Sequence, residues 1–292
     1  MDMKTIRWLN RHLWIFSVPA LLATAALVAC ARPLLRWVGW PYGAYPAWLL
    51  RLAAAGALAA VGILGLRRVG KSLRRRSAGR ELAEGFARMS RTCDPDPLLL
   101  TCRELQAVWL KKLHPELMMG VQMGLAAAAG RLGQIQEAER EVNLLLPAYE
   151  RYQPEAKLVV ELEAATVGIW AGNYQEAYSF LTEAERHLKQ LEEPADSKAA
   201  EALENRKRFY RLMAEGGSEE LLTGFRRELE TSKDGNLMDQ VSCRMNIARC
   251  LLSLGRPEEA RPHLEFVAEH GGKLAIRQEA LQRLAELECP RA

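Results

Sequence analysis

No C-x-x-C pair, no run of alternating apolar and polar residues bounded by turns after Arg80, and no recognisable nucleophile elbow occur in this chain of 292 residues. Each absence removes a class of function. The six cysteines, Cys30, Cys93, Cys102, Cys243, Cys250 and Cys289, lack the spacing of metal ligands or of a redox pair and are read as reduced, partly buried thiols. The five histidines, His12, His114, His187, His263 and His270, make no cluster either. His263 and His270 stand seven apart on one candidate helix face, but no third ligand accompanies them, so solvated or capping roles are expected. Without strands there is no sheet to carry a doubly wound or barrel enzyme, and the expected fold class is all-α. The chain reads as non-enzymatic, with no catalytic residue, no cofactor and no metal.

Acid is scarce at one end only. The first 80 residues hold 13 Lys and Arg against one acid, Asp2, whereas the remainder holds 27 against 35. The basic segment also contains two long apolar runs. Leu13 to Ala31 has no charge over 19 residues, enough helix at about 1.5 Å per residue to cross a hydrocarbon core of about 30 Å. Ala47 to Leu66 has a single charge, Arg51, near its start, where the side chain can snorkel to the interface. Trp8, Trp14, Trp37, Trp40 and Trp48 fall near the ends of these runs, as in an aromatic belt. The pattern predicts a two-helix membrane hairpin over residues 1–76, with spans about 13–31 and 47–66.

Basic residues set its orientation. Lys4, Arg7 and Arg11 flank one side, and Arg67, Arg68, Lys71, Arg74, Arg75, Arg76 and Arg80 the other, against only Arg32 and Arg36 in the loop. Both termini are therefore expected in the cytoplasm of a bacterial-type inner membrane, with the second cluster against anionic headgroups. Two other readings compete. "GLRRVGKS", Gly65 to Ser72, matches the phosphate-binding pattern G-x-x-x-x-G-K-[ST], but it follows a 20-residue apolar run too long for the strand such a loop requires. "LVAC", ending at Cys30, looks like a lipoprotein cleavage site, which would make the chain an extracytoplasmic lipoprotein lipidated at Cys30.

The rest of the chain repeats itself. "GQIQEAEREVNLL" from Gly133, "GNYQEAYSFLTEA" from Gly172 and "GRPEEARPHLEFV" from Gly255 superimpose without a gap. Each places Ala at the sixth position, Ala138, Ala177 and Ala260, and an aliphatic residue four later, Val142, Leu181 and Leu264. A degenerate copy begins at Gly216, and small or apolar residues recur before each turn, as Ala126 and Ala129, Ala165 and Gly168, and Ala248 and Leu251. These residues resemble the tetratricopeptide repeat, a helix-turn-helix unit, over about Leu117 to Gly271. Glycine spacings of 39, 44 and 39 exceed that family's usual period, which predicts longer helices or looser linkers. An upstream pair is expected around Asp94, with Asp96 as cap and Pro97 at the first helical position, and a closing helix over 273–288. The array as a whole is expected over 77–292.

The resemblance implies a function as well as a fold. In that family the first helix of each pair lines a concave groove for peptide segments. Carried over by repeat position, the groove here would include Met123, Ala127 and Arg131; Leu162, Thr166 and Trp170; Arg206 and Tyr210; and Met245, Arg249 and Ser253. Such a mix of Arg, aromatic and Met residues suits a peptide with acidic and apolar groups. The expectation is a membrane-anchored, non-enzymatic scaffold or adaptor whose partner is a protein or peptide, with neither nucleic acid nor a small-molecule substrate expected.

Overall fold

A computed structural model describes residues 76–109, 115–191, 198–232 and 236–288. The chain divides into two compact units, Met1–Gly79 and Arg80–Ala292, and only residues 76–79 of the first are described. The expected spans 13–31 and 47–66, the Gly65 to Ser72 pattern, Cys30 and the basic residues Arg67, Arg68, Lys71, Arg74 and Arg75 lie outside the described residues. Among the described residues no helix is long and apolar enough to cross a membrane. Arg76 and Arg80 are exposed on the first described helix.

The described residues form eleven α-helices and one 3-10 segment, with no strand among them. Helix α1 runs over 76–92, α2 is Asp96–Trp109, α3 Pro115–Arg131, α4 Ile135–Asn143, α5 Pro154–Ala171 and α6 Tyr174–Leu188. Then follow α7 Lys198–Glu215, α8 Glu219–Thr231, α9 Leu237–Ser253, α10 Pro257–His270 and α11 Ala275–Glu288. They make a helical repeat: α1 with α2, α3 with α4, α5 with α6, α7 with α8 and α9 with α10, closed by α11. The long glycine spacing is absorbed in both expected ways. The first helices of the last four pairs reach 17 or 18 residues, and a 3-10 segment, Leu146–Arg151, fills the linker after α4.

One turn chemistry recurs because only glycine adopts its backbone without strain. Gly133, Gly172, Gly216 and Gly255 have φ of 81°, 79°, 92° and 71°, in the left-handed region. At three of these turns the following N–H reaches back to a carbonyl near the end of the first helix. Gln134 N donates to Ala129 O, Asn173 N to Gly168 O and Arg256 N to Leu251 O, at 2.8 to 2.9 Å. These bonds satisfy carbonyls that a helix end leaves open. The degenerate turn departs from this: Gly217 N donates instead to Ser253 Oγ of the next pair at 3.0 Å. The upstream turn uses Cys93, at φ 51°, and its cap lies two residues before the expected one. Asp94 Oδ1 accepts the Asp96 N–H at 3.1 Å, because α2 already begins at Asp96.

Small residues hold the paired helices close. Ala138, Ala177 and Ala260 are completely buried, as are Ala126, Ala129, Ala165 and Ala248. A Cβ on Gly168 would lie 3.3 Å from that of Ala177, so α5 and α6 approach nearly backbone to backbone. Where the repeat degenerates, Leu221 and Phe225 take the positions of the alanine and the aliphatic residue, and both are buried.

The last turn returns to the first. Lys273 N donates to Cys93 O at 3.0 Å, and Lys273 Nζ lies 3.1 Å from Asp94 and 2.7 Å from Asp96, 177 positions away. Gly272, at φ 54°, sits against the carbonyls of Thr92 and Cys93, where a side chain would clash. Near the start of α11, the Ala275 side chain faces the Gly133 turn. An open solenoid holds its repeats by nearest-neighbour contacts alone. Here the closing half-repeat also grips the first turn and the Gly133 turn.

Candidate binding site

The first helices of four successive pairs, α3, α5, α7 and α9, together with α8 and the start of α11, surround a cavity of about 340 Å³. That volume sits at the lower end of ordinary ligand sites. Six of the eleven candidate groove residues line it: Arg131, Thr166, Trp170, Arg206, Met245 and Arg249. They come from four different helices and are brought together by the repeat register.

Each of the six is held differently. Trp170 lies over Gly130, whose missing side chain makes room for the indole. The Arg131 guanidinium sits 5.8 Å from that ring, donates to Ala127 O at 3.0 Å and lies 3.7 Å from the Glu163 carboxylate. Thr166 is buried and turns its hydroxyl back onto Leu162 O at 2.7 Å. Met245 is completely buried. Arg249 stacks on Phe209 at 6.0 Å and makes two bonds to Glu279 of α11, at 3.0 and 2.5 Å, so the closing helix is fastened to this wall.

Arg206 is the exception. Its Nε is buried and has no hydrogen-bond partner. Desolvation lowers its pKa, the nearby Arg131 charge lowers it further, and Glu163, Glu228 and Asp239 act in the opposite direction. Of the other acids on the lining, Glu228 lies 3.3 Å from Arg208, and burial raises its pKa. Asp239 faces Arg131 and Arg206 and is likewise raised by burial.

The other five do not line the cavity, and the contacts of two of them are distinct. Met123 is buried between helices, against Leu145 and Val160, as an ordinary core side chain. Tyr210 makes an edge contact with Tyr174 and a tilted one with Tyr178, on the side of α7 facing α6. Residues absent from the sequence reading include Phe209, Met213, Asp239 and Asn246 on the cavity wall, and Glu279 of the closing helix.

A second polar cluster is buried between α5 and α6. The Glu161 carboxylate takes the His187 ring nitrogen Nδ1 at 2.8 and 3.0 Å and the Tyr149 hydroxyl. Burial raises the Glu161 pKa although the His187 bond pulls it down. Glu161, Glu183 and His187 bring three ligand atoms within 4.8 Å of one another. A cation already stands there: Arg186 Nη2 lies 2.6 Å from Glu183 Oε2 and 3.2 Å from His187 Nε2. The polar groups of this cluster are thus satisfied by one another and by Arg186.

The described cysteines, Cys93, Cys102, Cys243 and Cys250, are free and buried. Burial pushes the first two and Cys250 up to about 11, about 12 and about 11, so none is poised as a thiolate. No protein-family model, curated protein or solved structure matches this chain.

Proposed function

We propose that this protein is a membrane-anchored, non-enzymatic scaffold of tetratricopeptide-like repeats that binds a segment of a protein partner on its concave face. The observation that carries the reading is the convergence of Arg131, Thr166, Trp170, Arg206, Met245 and Arg249 from four repeat helices onto one cavity. A chain selected only for helix packing has no reason to spend three arginines and a tryptophan on one internal space. The two apolar runs in residues 1–76 support an anchor, and the basic residues from Arg67 to Arg80 support a cytoplasmic orientation at an inner membrane. Tethering raises the concentration of a captured partner near other membrane components.

Site-specific crosslinking tests this reading. A photoreactive side chain at Asn246, on the cavity wall, should capture a discrete partner in native membranes, and the same group at exposed Glu176 should not. Arg206→Glu should abolish the product while the protein still fractionates with membranes after carbonate washing. Equal capture from both positions, or release of the chain by carbonate, contradicts the proposal.

A further inference from the structure

We propose that the cavity holds a carboxylate carried on an apolar body, with Arg206 and Arg131 as its counter-charges and Trp170, Phe209 and Met245 covering the rest. The inference rests on the reading of the concave face as the binding site and adds the chemistry of what enters.

Four observations carry it. First, Arg206 Nε is a buried donor left without an acceptor. A donor in that state costs free energy unless something brought in from outside accepts its bond. Second, Arg131 adds a like charge from α3, so two guanidinium groups share the space. Third, the lining acids differ in how far they are committed. Glu279 is bonded to Arg249 and Glu228 lies by Arg208, while Asp239 interacts with both Arg131 and Arg206. An incoming acid competes with Asp239, Glu228 and the neighbouring Glu163 for these charges, and its planar carboxylate matches the guanidinium fork whose Nε is unbonded. Fourth, the remaining wall is aromatic and methionine-rich, suited to an apolar body of varied shape.

Closure limits the size of the guest. The Lys273 contacts to the first turn and the Arg249 to Glu279 bonds hold α11 along the cavity, which leaves room for one compact group. A free organic acid and an acidic side chain next to an apolar one in a partner segment present the same chemistry.

Calorimetric titration of the full chain in mild detergent separates these sources. The probes are 3-phenylpropionate, its neutral amide, and the capped dipeptides acetyl-Phe-Glu-amide and acetyl-Phe-Gln-amide. At least one acid should bind about tenfold or more tightly than its neutral counterpart. A preference confined to 3-phenylpropionate assigns a free organic acid, and one confined to the Glu dipeptide assigns a partner side chain. Arg206→Gln should erase the preference, with Arg206→Met as a second variant should the first not fold. Asp239→Asn should strengthen acid binding a few-fold.

Equal binding of acids and amides overturns the proposal and leaves the concave face as a binding surface. A preference that survives both Arg206 variants also overturns it. So does the absence of heat with all four probes up to about 10 mM, and the crosslinking experiment then decides independently whether the face binds protein.

Discussion

Two buried polar groups on neighbouring repeats behave in opposite ways. Glu161 is sealed between α5 and α6 with His187 and Tyr149 as partners, whereas Arg206 projects from α7 into a cavity with its Nε unbonded. Both are costly to desolvate, but Glu161 is hydrogen-bonded within the chain, whereas Arg206 has nearby acids and an Nε without a partner. A buried network whose members are all satisfied contributes specificity and rigidity. A buried donor left open beside a cavity contributes nothing until a ligand arrives. The contrast divides the polar interior into a part that holds the repeats and a part whose donor is left open beside the cavity.

Replacing the acid of the satisfied network should have the largest effect. Glu161→Ala leaves the His187 ring and the Tyr149 hydroxyl facing an empty space and should destabilise the array by about 2–3 kcal/mol, measured by urea unfolding followed by circular dichroism. Ligand response should survive among the molecules that remain folded.

The next change acts on the cavity alone. Gly130→Ala improves helix propensity by about 1 kcal/mol, but its Cβ would run into the Trp170 ring. Displacing that ring in a packed wall costs about 1–3 kcal/mol, so the steric cost should win by about 1 kcal/mol. Its signature would be altered binding with the Glu161 network intact, visible as an unchanged His187 resonance in NMR spectra.

A smaller effect separates charge from burial. His263 has a buried Nδ1 without a partner, and burial together with Arg244 and Arg226 lowers its pKa from the usual 6.5. The unfolded chain then binds the proton more readily than the folded one. Stability should be complete above about pH 6.5 and fall as pH drops toward the depressed folded value. His263→Gln should flatten that part of the stability profile, as read from melting temperatures across the acid range.

The sequence showed the repeat more fully than the site. Gly133, Gly172 and Gly255 were legible because a left-handed turn needs glycine, and Ala138, Ala177 and Ala260 because closely paired helices need a small contact residue. The candidate groove residues followed from repeat position, which does not say what each side chain packs against. Met123 packs in the core and Tyr210 against Tyr174 and Tyr178. The closure by Lys273 on Asp94 and Asp96 spans nearly the whole array and leaves no local pattern. Glu161 did leave a signal: a carboxylate within the apolar run "LVVELEAATVG" implies a buried partner. Its partner His187 lies 26 positions away, where reading the histidines by metal spacing could not find it.

On the proposed function Arg206 serves a ligand and not the fold. The most direct measurement is the melting temperature of Arg206→Met beside that of Glu161→Ala, each with and without the bound acid. Removing a buried guanidinium whose Nε has no partner should leave Arg206→Met as stable as the parent, or more stable by up to about 1 kcal/mol, with the stabilisation by acid lost. A fall in stability comparable to that of Glu161→Ala, with the response to acid retained, would contradict it.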